Sequence, residues 1–261
     1  MPPARVALYA ATAGVLATTA YSVVRRPPTL GWSALLLAGY AGLLLSGVLV
    51  LRLRVFVDAL VRGPRGARGV ALTFDDGPHP RWTPLILDIL ARRGVLATFF
   101  VVGRKVEDHP EVLRAIVGAG HGVGLHSYAH DRLFSLRSER RVREDLERGV
   151  AALERVLGCR PVLFRPPIGH TNPTIARVAD ALGLVVVGWT LGGRDGVARA
   201  RPDDVANRVK RDLRDGAIVL LHDAPERGDR EPAAVQALPA ILDAMAAGRL
   251  EAVPVATWVE S

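Results

Sequence analysis

Two adjacent carboxylates, Asp75 and Asp76, follow the apolar run 69–74 in the sequence TFDDGP. Neighbouring negative charges repel, and the repulsion grows beside the low-dielectric end of a buried strand. Asp-Gly-Pro also suits a tight turn, and an aspartate there can cap the next helix. The pair alone therefore does not distinguish a turn from a reactive site, and the other polar groups of the chain must decide.

Two histidines, His126 and His130, are four residues apart in HSYAH. On one helical turn, or on a tight loop that imitates one, side chains at this spacing lie on the same side and can bind one metal. Two histidines and one carboxylate, with positions open for water and substrate, are expected of a catalytic divalent metal. One aspartate of the pair would complete that set, and the other would remain free as a general base.

Seven short apolar runs alternate with helical patterns after residue 68. The runs are 69–74, 97–103, 121–127, 162–167, 184–191, 217–223 and 251–258. This alternation predicts an α/β fold with a parallel sheet, either a barrel short of full closure or an open doubly wound sheet. Asp75, His126, Arg165 and His222 each follow the apolar part of a different predicted strand. In parallel α/β folds such positions meet at one edge of the sheet, so we predict one site there.

These residues resemble the polysaccharide deacetylases, carbohydrate esterase family 4, which share five motifs in a fixed order. The matching segments are 73–77, 126–130, 165–167, a degraded segment at 189–196, and 220–222. The resemblance covers roughly residues 69–258. It implies a distorted seven-stranded (β/α) barrel, which agrees with the pattern of apolar runs.

The resemblance also implies a role for each polar side chain. Asp75 would be the general base, and Asp76 would join His126 and His130 as ligands of a metal, usually zinc and sometimes cobalt or nickel. Arg165 would pair with Asp75 and keep it ionised. His222 would protonate the departing amine.

The substrate pocket follows from the same resemblance. A backbone N–H near Ile168 would bind the oxyanion, and Leu220 would help to enclose the acetyl methyl group. We expect the pocket to be lined by Pro167, Ile168, Trp189 and Leu220.

Two departures from the family pattern affect this pocket. Ile168 stands where the family commonly has tyrosine, which keeps the backbone N–H but removes a hydroxyl group. In the fourth segment Trp189 and Asp195 remain, whereas glycine replaces the first aspartate and the last tryptophan. Asp195 would orient His222, or alternatively serve as a turn residue before the next helix. We expect an acceptor groove that is wider or differently shaped than usual.

Two segments near the amino end carry no charge, at residues 6–24 and 29–51. About 20 uncharged apolar residues span a bilayer as a helix, so a transmembrane helical hairpin is predicted. A cleaved signal peptide and a hairpin buried in a globular core are the alternatives. The predicted division of the chain is a membrane anchor over 1–55, a basic linker over 56–68 and the catalytic domain over 69–261.

The charges around the hairpin give conflicting evidence on its orientation. Arg25 and Arg26 occupy the short turn and favour the cytoplasm, which would place the catalytic domain on the outer face of the cell membrane. Arg52 and Arg54, after the second segment, would also prefer the inside. The usual location of the family's substrates supports the outer face.

The composition of the chain limits the classes of partner that it can be expected to bind. The net charge is +8, which suits an anionic envelope, a nucleic acid or anionic lipid. No zinc-finger, aromatic RNA-binding or helix-turn-helix pattern is present, so no nucleic-acid partner is expected. Cys159 is the only cysteine, which excludes an intrachain disulfide and a multi-cysteine metal site.

The leading interpretation is a metal-dependent enzyme that removes N-acetyl groups from a cell-envelope amino-sugar polymer such as peptidoglycan. The alternatives are a deacetylase of a polyprenyl-linked sugar or a chitooligosaccharide, and a sugar-binding protein without turnover. The expected partners are an N-acetylated glycan and membrane lipid, and no protein partner is expected.

Overall fold

The computed structural model describes residues 1–25, 29–197 and 199–259. The α-helices are α1 Pro3–Val24, α2 Leu30–Leu49, α3 Trp82–Arg92, α4 Gly103–Asp108, α5 Pro110–Gly118, α6 Glu139–Leu157, α7 Pro173–Ala181, α8 Pro202–Arg211 and α9 Ala233–Ala247. The strands are β1 Ala71–Asp75, β2 Thr98–Val101, β3 Gly122–Leu125, β4 Leu163–Phe164, β5 Val185–Val186, β6 Leu191–Gly192 and β7 Ile218–His222. Short 3₁₀ turns lie at Leu51–Leu53, Phe134–Leu136, Pro167–Gly169 and Val255–Trp258.

The seven strands form one parallel sheet in the order β5-β4-β3-β2-β1-β7-β6. Read as a ring, this is the order of the chain, opened only between β5 and β6. That order is typical of a (β/α) barrel that does not close, and it differs from the reversing order of a doubly wound sheet. All five residues of β1 are buried, as expected for a strand covered on both faces. The predicted seven-stranded barrel is confirmed.

Two of the predicted strands differ in detail. The run 184–191 contains β5 and the start of β6, separated by residues 187–190 with a bend at Thr190. The run 251–258 forms a single bridge between Ala252 and Val70 and then a 3₁₀ turn. Pro254 lies inside that run and lacks the N–H that a strand ladder needs, which explains why the strand does not continue.

The segment before β1 packs against the opening of the barrel. The Leu60 N–H donates to Val186 O at 2.8 Å, and the Gly188 N–H donates to Leu60 O at 2.9 Å, so this segment covers the free edge of β5. Val57 and Ala59, in the same segment, are buried. The first half of the predicted linker 56–68 is therefore part of the folded domain, and a domain boundary near residue 50 fits these contacts better than one at residue 69.

The two apolar helices, α1 and α2, are both long and apolar enough to cross a membrane. Only 6% of the most apolar window of each helix is buried within the protein, so they are not core helices of the barrel. Their bounds agree with the predicted segments to within a few residues. Arg26, Pro27 and Pro28 of the predicted turn lie outside the described residues.

We expect the segment before β1 to contribute measurably to stability. A fragment of residues 64–261 lacks Val55, Val57 and Ala59, whereas a fragment of residues 51–261 retains them. Because burial of a single valine contributes about 1.5 kcal/mol or more, the shorter fragment should be less stable by at least about 2 kcal/mol in urea unfolding.

Single substitutions in the longer fragment provide the control for this comparison. Val57→Ser should reproduce part of the loss, while Arg65→Ser, at an exposed position, should not. Equal unfolding midpoints for the two fragments would show that the segment is a passive linker.

Candidate active site

The polar residues picked out from the sequence meet at the carboxyl ends of the strands. Asp75 ends β1 and Asp76 follows it, His126 follows β3, Arg165 follows β4, and His222 ends β7. In the register of the parallel pair β1–β7, Asp75 and His222 lie side by side. The sheet therefore brings the predicted base and the predicted acid to adjacent positions, with the histidine pair two strands away.

Three side chains have the arrangement of a metal-binding set. The Nε2 atom of His130 lies 3.1 Å from Asp76 Oδ1, and that of His126 lies 3.6 Å from the same oxygen. Asp76 Oδ1 is buried and has no hydrogen-bond partner among the described residues. A buried carboxylate oxygen that no donor satisfies, with two imidazole nitrogens beside it, fits a divalent cation that binds nitrogen and oxygen ligands.

His126 is held in the form that binds a metal. Its Nδ1 lies 2.7 Å from Arg165 O, so Nδ1 carries the proton and donates it to that carbonyl. The Nε2 lone pair consequently points toward Asp76. Burial, together with the neighbouring His130 imidazole, lowers the pKa of His126 to about 3, which leaves the ring neutral.

The loop that carries the two histidines is strained and tightly bonded. Ser127 and His130 have positive φ angles of 61° and 52°. The His130 N–H donates to Ser127 Oγ at 2.9 Å. Asp145, on α6, accepts the Tyr128 and Ala129 N–H groups at 2.8 and 3.0 Å. No sequence pattern indicates that Asp145 supports this loop, because the pattern of α6 predicts only an amphipathic helix.

A second set of residues holds the turn after β1. Asp76 has a φ of 75°, and its carbonyl accepts a hydrogen bond from Lys105 Nζ at 2.7 Å. Asp223 is fully buried and accepts from the Gly77 N–H and the Thr83 hydroxyl. A Cβ atom at Gly77 would lie 2.2 Å from an Asp223 oxygen, so only glycine fits. Burial raises the pKa of Asp223 to about 7.

Neither Lys105 nor Asp223 was among the site residues predicted from the sequence. For Asp223 a signal was available, since a charged residue directly after the apolar run 217–221 and His222 must lie in or next to the sheet. Lys105 carries no local signal, because its role depends on a contact with a distant loop.

Arg165 is fully buried and forms a close pair with Asp75. Its Nη1 donates to Asp75 Oδ1 at 2.7 Å and to Thr73 Oγ1 at 2.8 Å, and its Nη2 donates to Gly188 O at 2.9 Å. The guanidinium carbon lies 4.0 Å from the centroid of the Phe100 ring. Burial raises the pKa of Asp75. The charge of Arg165 lowers it, as expected for an adjacent cation, but burial is the larger effect and the pKa stays raised.

His222 is paired with Asp195. Asp195 Oδ1 lies 3.1 Å from His222 Nδ1, and Asp195 Oδ2 accepts the His222 backbone N–H at 2.7 Å. Helix α8 begins only at Pro202, so Asp195 lies well before it. Burial disfavours the charged imidazole, but the charge and hydrogen bond of Asp195, with the charges of Asp76 and Asp75, together outweigh it and raise the pKa of His222 to about 10. A Cβ at Gly196 would lie 3.0 Å from the imidazole, so this glycine packs directly against the ring.

The expected pocket residues gather around the loop after β4, except for Leu220. Pro167 is buried, and Ile168 has a φ of 50° with its side chain 42% exposed. The Ile168 N–H has no acceptor within the part of the chain that the structure describes. Trp189 packs beneath this loop, where a Cβ at Gly169 would lie 2.3 Å from the indole. Leu220 is half-buried on β7.

Comparison with known proteins places this site in a family. The family model described as polysaccharide deacetylase matches residues 62–187. A chitooligosaccharide deacetylase of Sinorhizobium fredii is 35% identical over 173 residues, which cover 64% of this chain and 78% of that protein. A peptidoglycan-N-acetylglucosamine deacetylase of Bacillus cereus is 34% identical over 181 residues, which cover 69% of this chain and 82% of that protein.

Solved structures agree with these sequence matches. A peptidoglycan N-acetylglucosamine deacetylase structure superposes with a TM-score of 0.70 at 30% identity, covering 76% of this chain and 91% of that one. A CE4 family pseudoenzyme from Bacillus anthracis superposes with a TM-score of 0.69 at 27% identity, covering 76% and 68%. The fold, the ordered motifs and these similarities together show that the chain belongs to the polysaccharide deacetylase family.

Proposed function

We propose that this protein is a metal-dependent hydrolase that removes N-acetyl groups from an amino-sugar glycan. The observation that carries the proposal is the complete set at the carboxyl ends of the strands: a buried base candidate, an unsatisfied Asp–His–His ligand set and a paired histidine acid. The names of the relatives from Sinorhizobium fredii and Bacillus cereus support the same reaction class. A sugar-binding protein without turnover would need neither the base nor the acid.

Asp76, His126 and His130 would hold the metal. Two imidazoles and one carboxylate suit zinc, with cobalt and nickel as alternatives. When bound, the ion supplies Lewis acidity to the amide carbonyl and lowers the pKa of the attacking water.

The remaining steps belong to residues of the chain. Asp75 Oδ1 is occupied by Arg165, so Oδ2, which lies 3.8 Å from His126 Nε2, is the oxygen that would take the proton of the attacking water. The Ile168 N–H would donate to the oxyanion that develops on the carbonyl oxygen. His222 would then protonate the leaving nitrogen through Nε2, while Asp195 holds Nδ1. The C–N bond breaks, and the products are acetate and a free amine on the sugar.

Peptidoglycan is the first substrate candidate, because it is the N-acetylated polymer of the cell envelope. The proposed anchor is the α1–α2 hairpin, with the catalytic domain on the outer face of the membrane. Deacetylation there would expose amines and reduce the net negative charge of the wall. A chitooligosaccharide or a polyprenyl-linked sugar is the alternative.

The proposed division of labour between the two aspartates can be tested directly. His130→Ala should lose bound zinc and activity together. Asp75→Asn should retain zinc and lose turnover by roughly 100- to 10,000-fold, because it removes proton transfer but not a ligand. The measurements are zinc content and acetate release from peptidoglycan fragments, chitooligosaccharides and acetylxylan, with and without added zinc.

Asp76→Asn provides the matched control, because it makes the same chemical change one residue away. If Asp75→Asn lost zinc while Asp76→Asn kept it, the roles of the pair would be reversed. If the zinc-loaded wild-type chain released no acetate from any N-acetylated glycan, the proposed function would be wrong.

The Asp195–His222 pair predicts a pH effect in the metal-free protein. With a pKa near 10 the imidazole stays protonated through neutral pH. Since this folded-state pKa lies above the ordinary 6.5, the pair stabilises the fold fully below pH 6.5 and loses that contribution as the pH rises through 10. Asp195→Asn should lower the pKa of His222, as measured by NMR titration of the ring.

Asp203→Asn, at an exposed position on α8, makes the same charge change away from the pair and should leave the titration unchanged. A His222 ring that already titrates near pH 6.5 in the wild-type protein would contradict this account.

The proposed orientation can be tested with the native cysteine. Cys159 is exposed, so it should react with a membrane-impermeant maleimide on intact cells whose wall admits the reagent. A Cys159→Ser, Thr29→Cys variant, which moves the thiol to the amino end of α2, should stay unlabelled until the membrane is opened. The opposite pattern would place the catalytic domain in the cytoplasm.

A further inference from the structure

The end of α2 is bonded directly to the loop that carries the proposed oxyanion N–H. Val48, in the last turn of α2, accepts a hydrogen bond from the Thr171 N–H at 3.0 Å. Thr171 is buried and lies three residues after Ile168. Three residues extend over at most roughly 11 Å, so the backbone of Ile168 lies within that distance of the α2 contact.

The connection between the hairpin and the barrel has no free linker. The 3₁₀ turn Leu51–Leu53 follows α2 almost directly, and Leu51 is 4% exposed. A Cβ at Gly188 would lie 3.0 Å from Leu51, so the two residues are in close contact. From the first turn of α1, Arg5 donates to Val55 O at 2.9 Å and pairs with Asp58 at 3.1 Å. Helix α2 is thus bonded to the loop that carries Ile168, and α1 is bonded to the segment that connects α2 to the barrel.

Two exposed leucines lie in a loop that is bonded to the segment contacting α2. Leu133 and Leu136 are 53% and 77% exposed, in the loop that follows His130. Ser135, between them, accepts a hydrogen bond from Asn172 Nδ2 at 2.6 Å, and Asn172 is the neighbour of Thr171. The loop is therefore bonded to the segment that contacts α2. Leu133, Leu136 and Ile168, here called the cleft rim, expose apolar side chains close to the end of a helix that can span a membrane.

We propose that the cleft rim lies against the bilayer surface and that the substrate is an N-acetyl sugar carried on a lipid of the same leaflet. The proposal rests on the function proposed above and on the hairpin spanning the membrane. Exposed leucines beside a membrane anchor lower their free energy by entering the boundary between headgroups and acyl chains. The net charge of +8 adds attraction to anionic headgroups.

Within the proposed deacetylase function, this geometry favours the lipid-linked sugar, named above as an alternative, over peptidoglycan, named above as the first candidate. An active site at the level of the headgroups is close to lipid-linked sugars, whose local concentration at the membrane surface is high. Glycan strands of the wall lie farther from the membrane and would be less accessible to it. The class of reaction that supplies the substrate is therefore the attachment of an N-acetylated sugar to a lipid carrier.

The position of the rim can be tested without activity. The full chain in lipid nanodiscs, in a Cys159→Ser background, carries a fluorophore at Leu136→Cys. Phospholipids brominated near the headgroup should quench most of its emission. The control is Leu96→Cys, a 39% exposed leucine two residues before β2, at the amino ends of the strands and so at the end of the barrel opposite the site, which should stay bright. Equal quenching at the two positions would overturn the proposed docking.

The substrate class is tested with two probes. Leu136→Ser should lower acetate release from a long-chain alkyl N-acetylglucosaminide in nanodiscs by roughly tenfold, because a leucine that enters the bilayer contributes about 1.5 kcal/mol or more. Its activity on soluble tri-N-acetylchitotriose should be unchanged. An equal effect on both probes, or no effect on either, would overturn the lipid-linked substrate.

The outcomes separate this proposal from the function itself. If the wild-type chain releases acetate from neither probe, the deacetylase function fails and the substrate class fails with it, while the quenching result still decides where the rim lies. If it acts on the soluble probe but Leu136→Ser has no selective effect, the function stands and the lipid-linked substrate is wrong.

Discussion

The fully buried guanidinium of Arg165 is the interaction on which the rest of the site depends. It neutralises Asp75, links β1 to the segment after β5 through a hydrogen bond to Gly188, and stacks on Phe100. The carbonyl of the same residue fixes the tautomer of His126. Removing one partner of a buried ion pair costs about 3–5 kcal/mol, because the other charge stays buried without compensation. The charge of Asp75, the orientation of His126 and the packing of the barrel therefore all depend on Arg165.

The loops around this pair hold conformations that the backbone does not favour. Asp76, Ser127, His130 and Ile168 all have positive φ angles, which cost of order 1–3 kcal/mol each. The buried acceptor Asp223, together with bonds from Lys105 and to Asp145, offsets that strain. These conformations occur in the loops at the carboxyl ends of the strands, where they hold the ligand atoms and an Ile168 N–H that has no acceptor among the described residues.

Much of this arrangement could be predicted from local sequence, and the remainder depends on contacts between distant segments. Apolar runs and the polar residues that end them located the strands and the site, because both are local properties of a parallel sheet. The pairing of Leu60 with β5 and the bond from Gly77 to Asp223 join residues more than 120 positions apart, and no local pattern encodes them. For the same reason the sequence did not decide whether Asp195 orients His222 or serves as a turn residue, since only the folded sheet brings it next to His222.

The central claim is that Asp76, His126 and His130, and not Asp75, form the metal site. Anomalous diffraction at the zinc edge, from crystals of the zinc-loaded protein, tests it most directly. The account predicts one strong peak within about 2.0–2.2 Å of an Asp76 oxygen and of both histidine Nε2 atoms, with Asp75 bonded to Arg165. A peak bonded to Asp75 in place of Asp76, or one bonded to His222 and Asp195, would contradict the account.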